Sequence, residues 1–222
     1  MKRAEVEGSV LPQSFYARAT ERVARDLLGA VLECTVRGVR CRGRIVETEA
    51  YIGEHDAACH AAAGRTKRAA GLWGSPGSAY VYRIYGMYWC ANVVTRREGL
   101  ASAVLLRAVE PLEGLSTMRR RRDGRKDHEL TSGPGKLCDA FAITGPRHHG
   151  ATFLRAPLRI LAGDPVDESE VAVTRRIGIN PRNPALDWPL RWIVRRSPFV
   201  SARGETERYL GATSSVRLKS RS

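Results

Sequence analysis

Arg44-Ile45-Val46-Glu47-Thr48-Glu49-Ala50-Tyr51 runs an apolar stretch into two carboxylates and an aromatic ring. Its β-branched residues and short alternation predict a strand. Just upstream, Ala30 to Val36 reads as a strand, Gly38 as a turn and Arg40 to Thr48 as the returning strand, which implies an antiparallel sheet. If the alternation holds, Glu47, Glu49 and Tyr51 share one strand face. A carboxylate at the end of a buried strand needs a partner or a chemical task. The competing reading is a strand end that emerges into water with solvated glutamates.

Outward from this hairpin, Ser14 is placed as the N-cap of a helix reaching about Leu28. Phe15, Ala19, Val23, Leu27 and Leu28 form its apolar face and Gly29 ends it. Residues 53–76 are small, polar and glycine-containing, a loop long enough to be functional or disordered. Ala79 to Ile84 and Met87 to Thr95 read as strands around Tyr85-Gly86. Ala101 to Val109 is an apolar strand carrying one charge, Arg107. Pro111 to Arg122 reads as a helix ending in four arginines, Asp123 to Glu129 as a charged linker, and Gly133-Pro134-Gly135-Lys136 as the start of a helix to about Ile143. Short strands are expected near Leu158–Leu161, Val171–Arg175 and Leu190–Val194. The class is mixed α+β, with a loose lead-in over residues 1–13, one domain over 14–202 and a polar tail over 203–222.

The chain has 222 residues, 43% hydrophobic and 27% charged, which argues against global disorder. The longest apolar runs, such as Ala103-Val104-Leu105-Leu106, are far too short for a bilayer, and the first residues lack a signal-peptide core. The expected location is therefore cytoplasmic, with no membrane partner. The formal net charge is +14, with +5 over residues 1–111 and +9 over residues 112–222. A polyanion, nucleic acid before membrane, is the natural partner. Yet 32 of the 37 basic residues are arginine, a bias that a GC-rich genome also produces. Cys34, Cys41, Cys59, Cys90 and Cys138 form no C-x-x-C pair, and His55 and His60 are poorly spaced for one helix face. No metal site is expected.

The second informative stretch is Tyr80-Val81-Tyr82-Arg83-Ile84-Tyr85-Gly86-Met87-Tyr88-Trp89-Cys90-Ala91-Asn92. Tyr80 and Tyr82 share a face, and Tyr85 sits beside a hairpin glycine. An exposed aromatic among basic residues suits base stacking or a helix wedge. Tyr80 and Tyr88 are equally readable as ordinary sheet aromatics.

Together these pieces resemble the alkyladenine (3-methyladenine) DNA glycosylases of the methylpurine glycosylase family. The matching blocks are Gly43 to Tyr51, Asp56-Ala57-Ala58-Cys59-His60, Tyr80 to Tyr88, Val104 to Gly114, Ser132 to Cys138 and Arg196 to Ser201. The resemblance implies a single domain on a curved, mainly antiparallel sheet, like the C-terminal domain of formyltransferases, with surrounding helices and a protruding β-hairpin. It implies a monofunctional enzyme without metal or cofactor; a monomer is expected because nothing in the sequence marks an oligomer face. That enzyme hydrolyses the N-glycosidic bond of damaged purines in double-stranded DNA, and a bacterial member would sit on the nucleoid.

Residue by residue, the resemblance makes Glu49 the general base that activates water. Arg107 helps to hold that water, and the backbone carbonyl of Ile177 is a third contact. Tyr51, His60 and Tyr82 become the walls around a flipped base, whose cationic alkylated forms suit electron-rich faces. Ala58 contacts the base edge through its carbonyl, and Asn92 disfavours guanine. Tyr85 intercalates, with Met87 and Tyr88 beside it in the groove. Phosphate contacts fall to Arg65, Lys67, Arg68, Arg83 and Lys136, and the Gly133-Pro134-Gly135 helix start offers further N–H groups. Arg119 to Arg122 are open between DNA contact and a plain surface run. The chain departs from the family pattern at Thr66-Lys67-Arg68-Ala69, where Thr-Pro-Arg-Asn is usual. It also departs at Cys59, where Ser or Ala is usual, and at Phe199, where Trp is usual. Two alternatives stay open: a resistance glycosylase tuned to one bulky adduct, and a non-catalytic lesion-binding protein.

Overall fold

The computed structural model describes residues 8–210. The chain enters through two short helices, α1 (Gln13–Tyr16) and α2 (Thr20–Asp26), then lays down β1 (Val31–Val36) and the long β2 (Val39–Tyr51). Two single-turn 3-10 segments, His60–Ala63 and Ala70–Trp73, interrupt the loop that follows. Next come β3 (Ala79–Ile84), β4 (Tyr88–Val94), β5 (Ala103–Glu113), α3 (Leu115–Arg121), α4 (Pro134–Phe141) and α5 (Gly145–His148). The chain finishes with β6 (Leu154–Arg155), β7 (Leu158–Leu161), β8 (Val171–Thr174), β9 (Arg191–Val194) and a helical stretch over residues 203–210.

Nine strands among the described residues form one curled, antiparallel sheet in the order β3-β4-β5-β2-β1-β7-β6, with β9 on β2 and β8 on β9. β2 organises it. Its first half pairs with β1 (Val31 opposite Arg44), and its second half pairs with β9 (Glu49 opposite Arg191). β5 runs along the other side of both halves. The pairing of β2 with β5 carries three irregularities, one at Arg42 and Gly43 and two that compensate each other further along. Ile45 faces Val109 and Glu47 faces Ala108, so Val46 is extra on β2. Thr48 then faces Leu106, so Arg107 is extra on β5. The bulges decide which face each side chain takes. Ile45, Ala50, Val104, Leu106 and Val109 enter the main core with α2 and α4, while Val46 and Ala108 join a second cluster with Ala172, Ile193 and Val200. Glu47, Glu49 and Tyr51 do share a face, although strict alternation would have added Ile45 to it.

Several sequence expectations need correction. The helix expected from Ser14 to Leu28 breaks at Ala17–Ala19, because Ala19 is extended and the chain must turn. Arg18 donates from Nε to the Phe15 carbonyl at 2.8 Å, while Thr20 pairs with Thr95 across the core at 2.9 Å. α1 begins at Gln13, with Pro12 and not Ser14 at the cap position. β5 continues through Pro111 to Glu113, so the helix expected from Pro111 starts only at Leu115. Pro111 is tolerated beside the irregular register at Arg42 and Gly43. Residues 9–11 are not loose: Leu11 N–H donates to the Ile160 carbonyl at 2.9 Å and Ala162 N–H to the Ser9 carbonyl at 2.8 Å. The polar tail is helical as far as residue 210. The remainder of the expected lead-in and tail, residues 1–7 and 211–222, lies outside the described residues. None of the helices among the described residues is long and apolar enough to cross a membrane.

Candidate active site

The second half of β2 carries Glu49 into the interior beside Arg107 of β5. The Glu49 side chain is fully buried, with its Oε1 3.2 Å from Arg107 Nη1. Oε1 also accepts the Ile177 backbone N–H at 2.7 Å, and Oε2 accepts the Tyr51 hydroxyl at 2.9 Å. Those three partners of the carboxylate, Tyr51, Arg107 and Ile177, all line one cavity of about 340 Å³. That volume falls within the size class of small-molecule pockets, about 300–1,000 Å³.

The cavity wall is aromatic. His60 and Tyr82 meet edge to face with centroids 4.5 Å apart, and Tyr80 lies 5.3 Å from Tyr82. The Tyr80 hydroxyl and His60 Nδ1 are 2.8 Å apart. Burial, reinforced by the Arg68 charge, lowers the His60 pKa and favours a neutral imidazole. Burial also pushes the hydroxyls of Tyr51 and Tyr82 well above the ordinary phenol range and that of Tyr80 to about 12. All three are neutral donors near pH 7. Asn92, on β4 opposite Tyr80, donates from Nδ2 to the Tyr80 carbonyl at 3.0 Å, and both Asn92 and Ala58 line the cavity.

At the mouth stands the β3–β4 hairpin. Tyr85 and Gly86 both have positive φ, +50° and +67°, and Met87 N–H closes the turn on the Ile84 carbonyl at 3.1 Å. This matches the left-handed pair that tight hairpin turns require. Tyr85 is 82% exposed and Met87 62%, an unusual display of apolar surface at a loop tip. Gly135 at the start of α4 packs against Tyr88, and a side chain there would meet the Tyr88 Cβ at 3.0 Å. Lys136 follows immediately, 3.5 Å from the Ser132 hydroxyl.

The basic residues around this face rest on aromatic rings. Arg68 lies over Tyr82 at 5.4 Å and donates to the Arg83 carbonyl at 3.1 Å; Arg65 lies over Trp73 and Arg83 over Trp89. Arg65, Lys67, Arg68 and Arg83 are all exposed. The run Arg119–Arg122 is occupied otherwise. Arg119 forms a bidentate pair with Asp127, Arg121 donates to the Ala140 carbonyl at 2.8 Å, and Arg122 reaches Asp139 at 3.3 Å. Cys59 is buried with its thiol pKa raised by desolvation, which makes it a poor nucleophile.

Two buried groups escaped the sequence reading. The sequence around Glu47 names no partner for it. Its Oε1 accepts from Arg107 Nε at 2.8 Å, Arg191 Nε at 2.7 Å and the Ser201 hydroxyl at 2.8 Å, and its Oε2 accepts from Ser201 N–H at 2.6 Å. Burial opposes its ionisation, but the two guanidinium groups outweigh that and hold its carboxyl below the ordinary range. The second is the pair Asp56–Arg176, fully buried and bidentate at 2.6 and 2.8 Å. Arg176 also lies 4.7 Å from the Tyr51 ring centroid. Asp56 sits inside a recognised motif, but Arg176 comes from a stretch with no strong pattern, and only the fold brings them together.

A buried acid–guanidinium pair stands behind an aromatic cavity, beside an exposed aromatic hairpin on a cationic chain, and the relatives of this chain make its class that of a hydrolase of N-glycosyl bonds. The sequence model of the family described as "Methylpurine-DNA glycosylase (MPG)" matches residues 14–198, and the chain belongs to that family. A protein of Myxococcus xanthus is 50% identical over 192 residues, covering 86% of this chain and 93% of its own length. One from Salinibacter ruber is 48% identical over 202 residues (86% and 96%), and one from Methanocella arvoryzae 46% over 195 residues (87% and 96%). All three bear the name "Putative 3-methyladenine DNA glycosylase".

Proposed function

We propose that the protein removes alkylated purines from double-stranded DNA as a monomer, taking the damaged nucleotide out of the stack and leaving an abasic site. The observation that carries this is the placement of Glu49: a buried carboxylate whose direct partners Tyr51, Arg107 and Ile177 are all cavity walls. Tyr51, His60 and Tyr82 offer ring faces to the base, and a cationic alkylated purine is attracted to them. Asn92 and the Ala58 carbonyl border the same space and would read the base edge. Tyr85, exposed on a tight turn, would fill the gap left in the duplex. Arg65, Lys67, Arg68, Arg83 and Lys136 would hold phosphates.

In the reaction, the C1′–N bond breaks and its electron pair goes to the departing base. A cationic N-alkylpurine becomes neutral as it leaves, so no acid is needed for it. Water adds its oxygen to C1′ and passes its proton to Glu49. The carboxylate also stabilises the positive sugar that develops at the transition state. Arg107 and the Ile177 carbonyl are assigned the remaining contacts to this water.

The test is single-turnover base release from duplexes carrying 3-methyladenine, 7-methylguanine, ethenoadenine or hypoxanthine. Release by the native protein and its loss in Glu49→Gln, with lesion binding retained, is the expected result. Release by Glu49→Gln at the native rate would remove Glu49 as the base. Tight lesion binding without release by the native protein would instead point to a shielding role.

A further inference from the structure

Arg107 serves two carboxylates at once. Its Nη1 faces Glu49 at 3.2 Å, while its Nε donates to Glu47 at 2.8 Å and its Nη2 to the Ser201 hydroxyl at 3.1 Å. Guanidinium nitrogens are coplanar and rigid, so fixing Nε and Nη2 fixes where Nη1 points. Glu47 is anchored in turn. Arg191, itself fully buried, meets it from β9 and is held by the Thr174 hydroxyl of β8, the Thr206 hydroxyl of the helical stretch 203–210 and the Ser201 carbonyl, each at 3.0 Å. Two carboxylates and two guanidinium groups, of opposite and equal formal charge, thus share one buried site. Three partners of Glu49 line the cavity, but of the partners of Glu47 only Arg107 does, so Glu47 acts on the cavity through that arginine.

We propose that Glu47 is the positioning residue of this site: it aims Arg107 at Glu49 and the attacking water, and its charge offsets that of the arginine. The proposal rests on the reading of Glu49 as that base. Its reach extends through Arg191 to Thr206, beyond the stretch that the family model covers.

The charged and titratable groups facing Glu49 are Tyr51 on its own strand and Arg107 on β5. Arg176 beside Ile177, Tyr82 on β3 and Cys90 on β4 lie further off. Replacing Glu47 by Gln deletes a like charge near Glu49 and leaves Arg107 uncompensated. Both changes favour the ionised base, so the acid limb of the excision rate must move to lower pH. Misaiming of Arg107 lowers the plateau as well, by roughly 10²-fold if it slips by about an ångström.

The experiment is the pH profile of single-turnover release of 7-methylguanine, whose departure needs no proton and whose acid limb therefore reports the base alone. Native protein, Glu47→Gln, Glu47→Asp and Ser201→Ala are compared, with lesion affinity measured in parallel. Glu47→Gln is expected to shift the acid limb down and lower the plateau with lesion affinity retained. Glu47→Asp keeps the charge and is expected to leave the limb in place at a reduced plateau. Ser201→Ala, the milder change should Glu47→Gln fold poorly, is expected to lower the plateau without moving the limb. Native limb and plateau in Glu47→Gln would overturn the proposal, as would native plateaus in both Glu47→Asp and Ser201→Ala. Native release without an acid limb, or retained release by Glu49→Gln, would instead overturn the assignment of Glu49.

Discussion

Changing Asp56 to Ala strands a buried cation. In the native protein Asp56 takes two hydrogen bonds from Arg176, at 2.6 and 2.8 Å, and two more from the backbone N–H groups of Ile52 and Ala58, at 3.2 and 3.1 Å. After the change Arg176 keeps the Ala50 carbonyl, at 2.9 Å from Nη1, while its Nε is already buried without a partner. Removing one member of a buried ion pair costs about 3–5 kcal/mol, far more than the roughly 0–1 kcal/mol of an exposed pair. For a chain of this size each 1 kcal/mol lowers Tm by about 2–4 °C, so a fall of roughly 6–20 °C is expected. Urea unfolding measures it as a lower midpoint at constant slope. The double variant Asp56→Leu, Arg176→Met has no charge to strand and should regain much of the loss. It should still bind lesions poorly, because Arg176 no longer backs Tyr51 and the loops carrying Ala58 and Ile177 are no longer tied together. A single variant that loses less than about 1 kcal/mol, or a double variant no more stable than the single, would refute this account.

Other outcomes follow from the same geometry. Tyr85→Gly removes a side chain from a left-handed φ of +50°; relief of about 1–2 kcal/mol against a glycine entropy cost of about 0.5–1 kcal/mol leaves stability unchanged or slightly raised. Lesion-DNA affinity should nevertheless fall, and loss of both together would argue against a wedge role. Glu33 is buried, yet hydrogen bonds from Arg159 and then Arg42 outweigh desolvation and lower its pKa. Its stabilising effect is present above the ordinary carboxylate range, near pH 4.3, and is lost as pH falls below it. Glu33→Gln should therefore flatten the acid side of a stability-against-pH curve, and an unchanged slope would count against the pairing. If the +14 charge serves DNA binding, log K should fall by about 0.9 per phosphate contact as log salt rises, whereas a flat response would assign the arginine excess to genome composition.

Much of the site was legible because its chemistry is written in short local blocks. The stretch Gly43–Tyr51 carries its own strand signal, and Tyr85-Gly86 declares a hairpin tip. The antiparallel pairing of β1 with β2 also follows from a turn glycine between two apolar runs. Less legible was whatever depends on contacts between distant segments. No local pattern reveals that α1 and α2 part at Ala19, where the next residue, Thr20, pairs with Thr95 across the core. Pro111 reads as a helix start until its neighbours on β2 show it to be paired. Glu47 and Glu49 look alike in sequence; Arg191 and Ser201, about 150 residues away, make one a scaffold and leave the other to face the cavity wall. Arg176 had no signal except an unpaired Asp56 in a motif, which could have prompted a search for a buried cation.

The two bulges between β2 and β5 behave like a pair of compensating frameshifts. Val46 displaces the reading of one strand by a residue, and Arg107 restores it on the other. Deleting either residue alone would leave the other bulge uncompensated and shift the pairing beyond it by one residue, so that Glu49 no longer stands opposite Leu105. Deleting both would restore the register but remove the arginine itself. In this protein a side chain of the proposed catalytic site and the correction of strand register are the same residue. The length of these two strands is therefore as constrained as their composition, and change in this family should accumulate by substitution here and by insertion only in the loops.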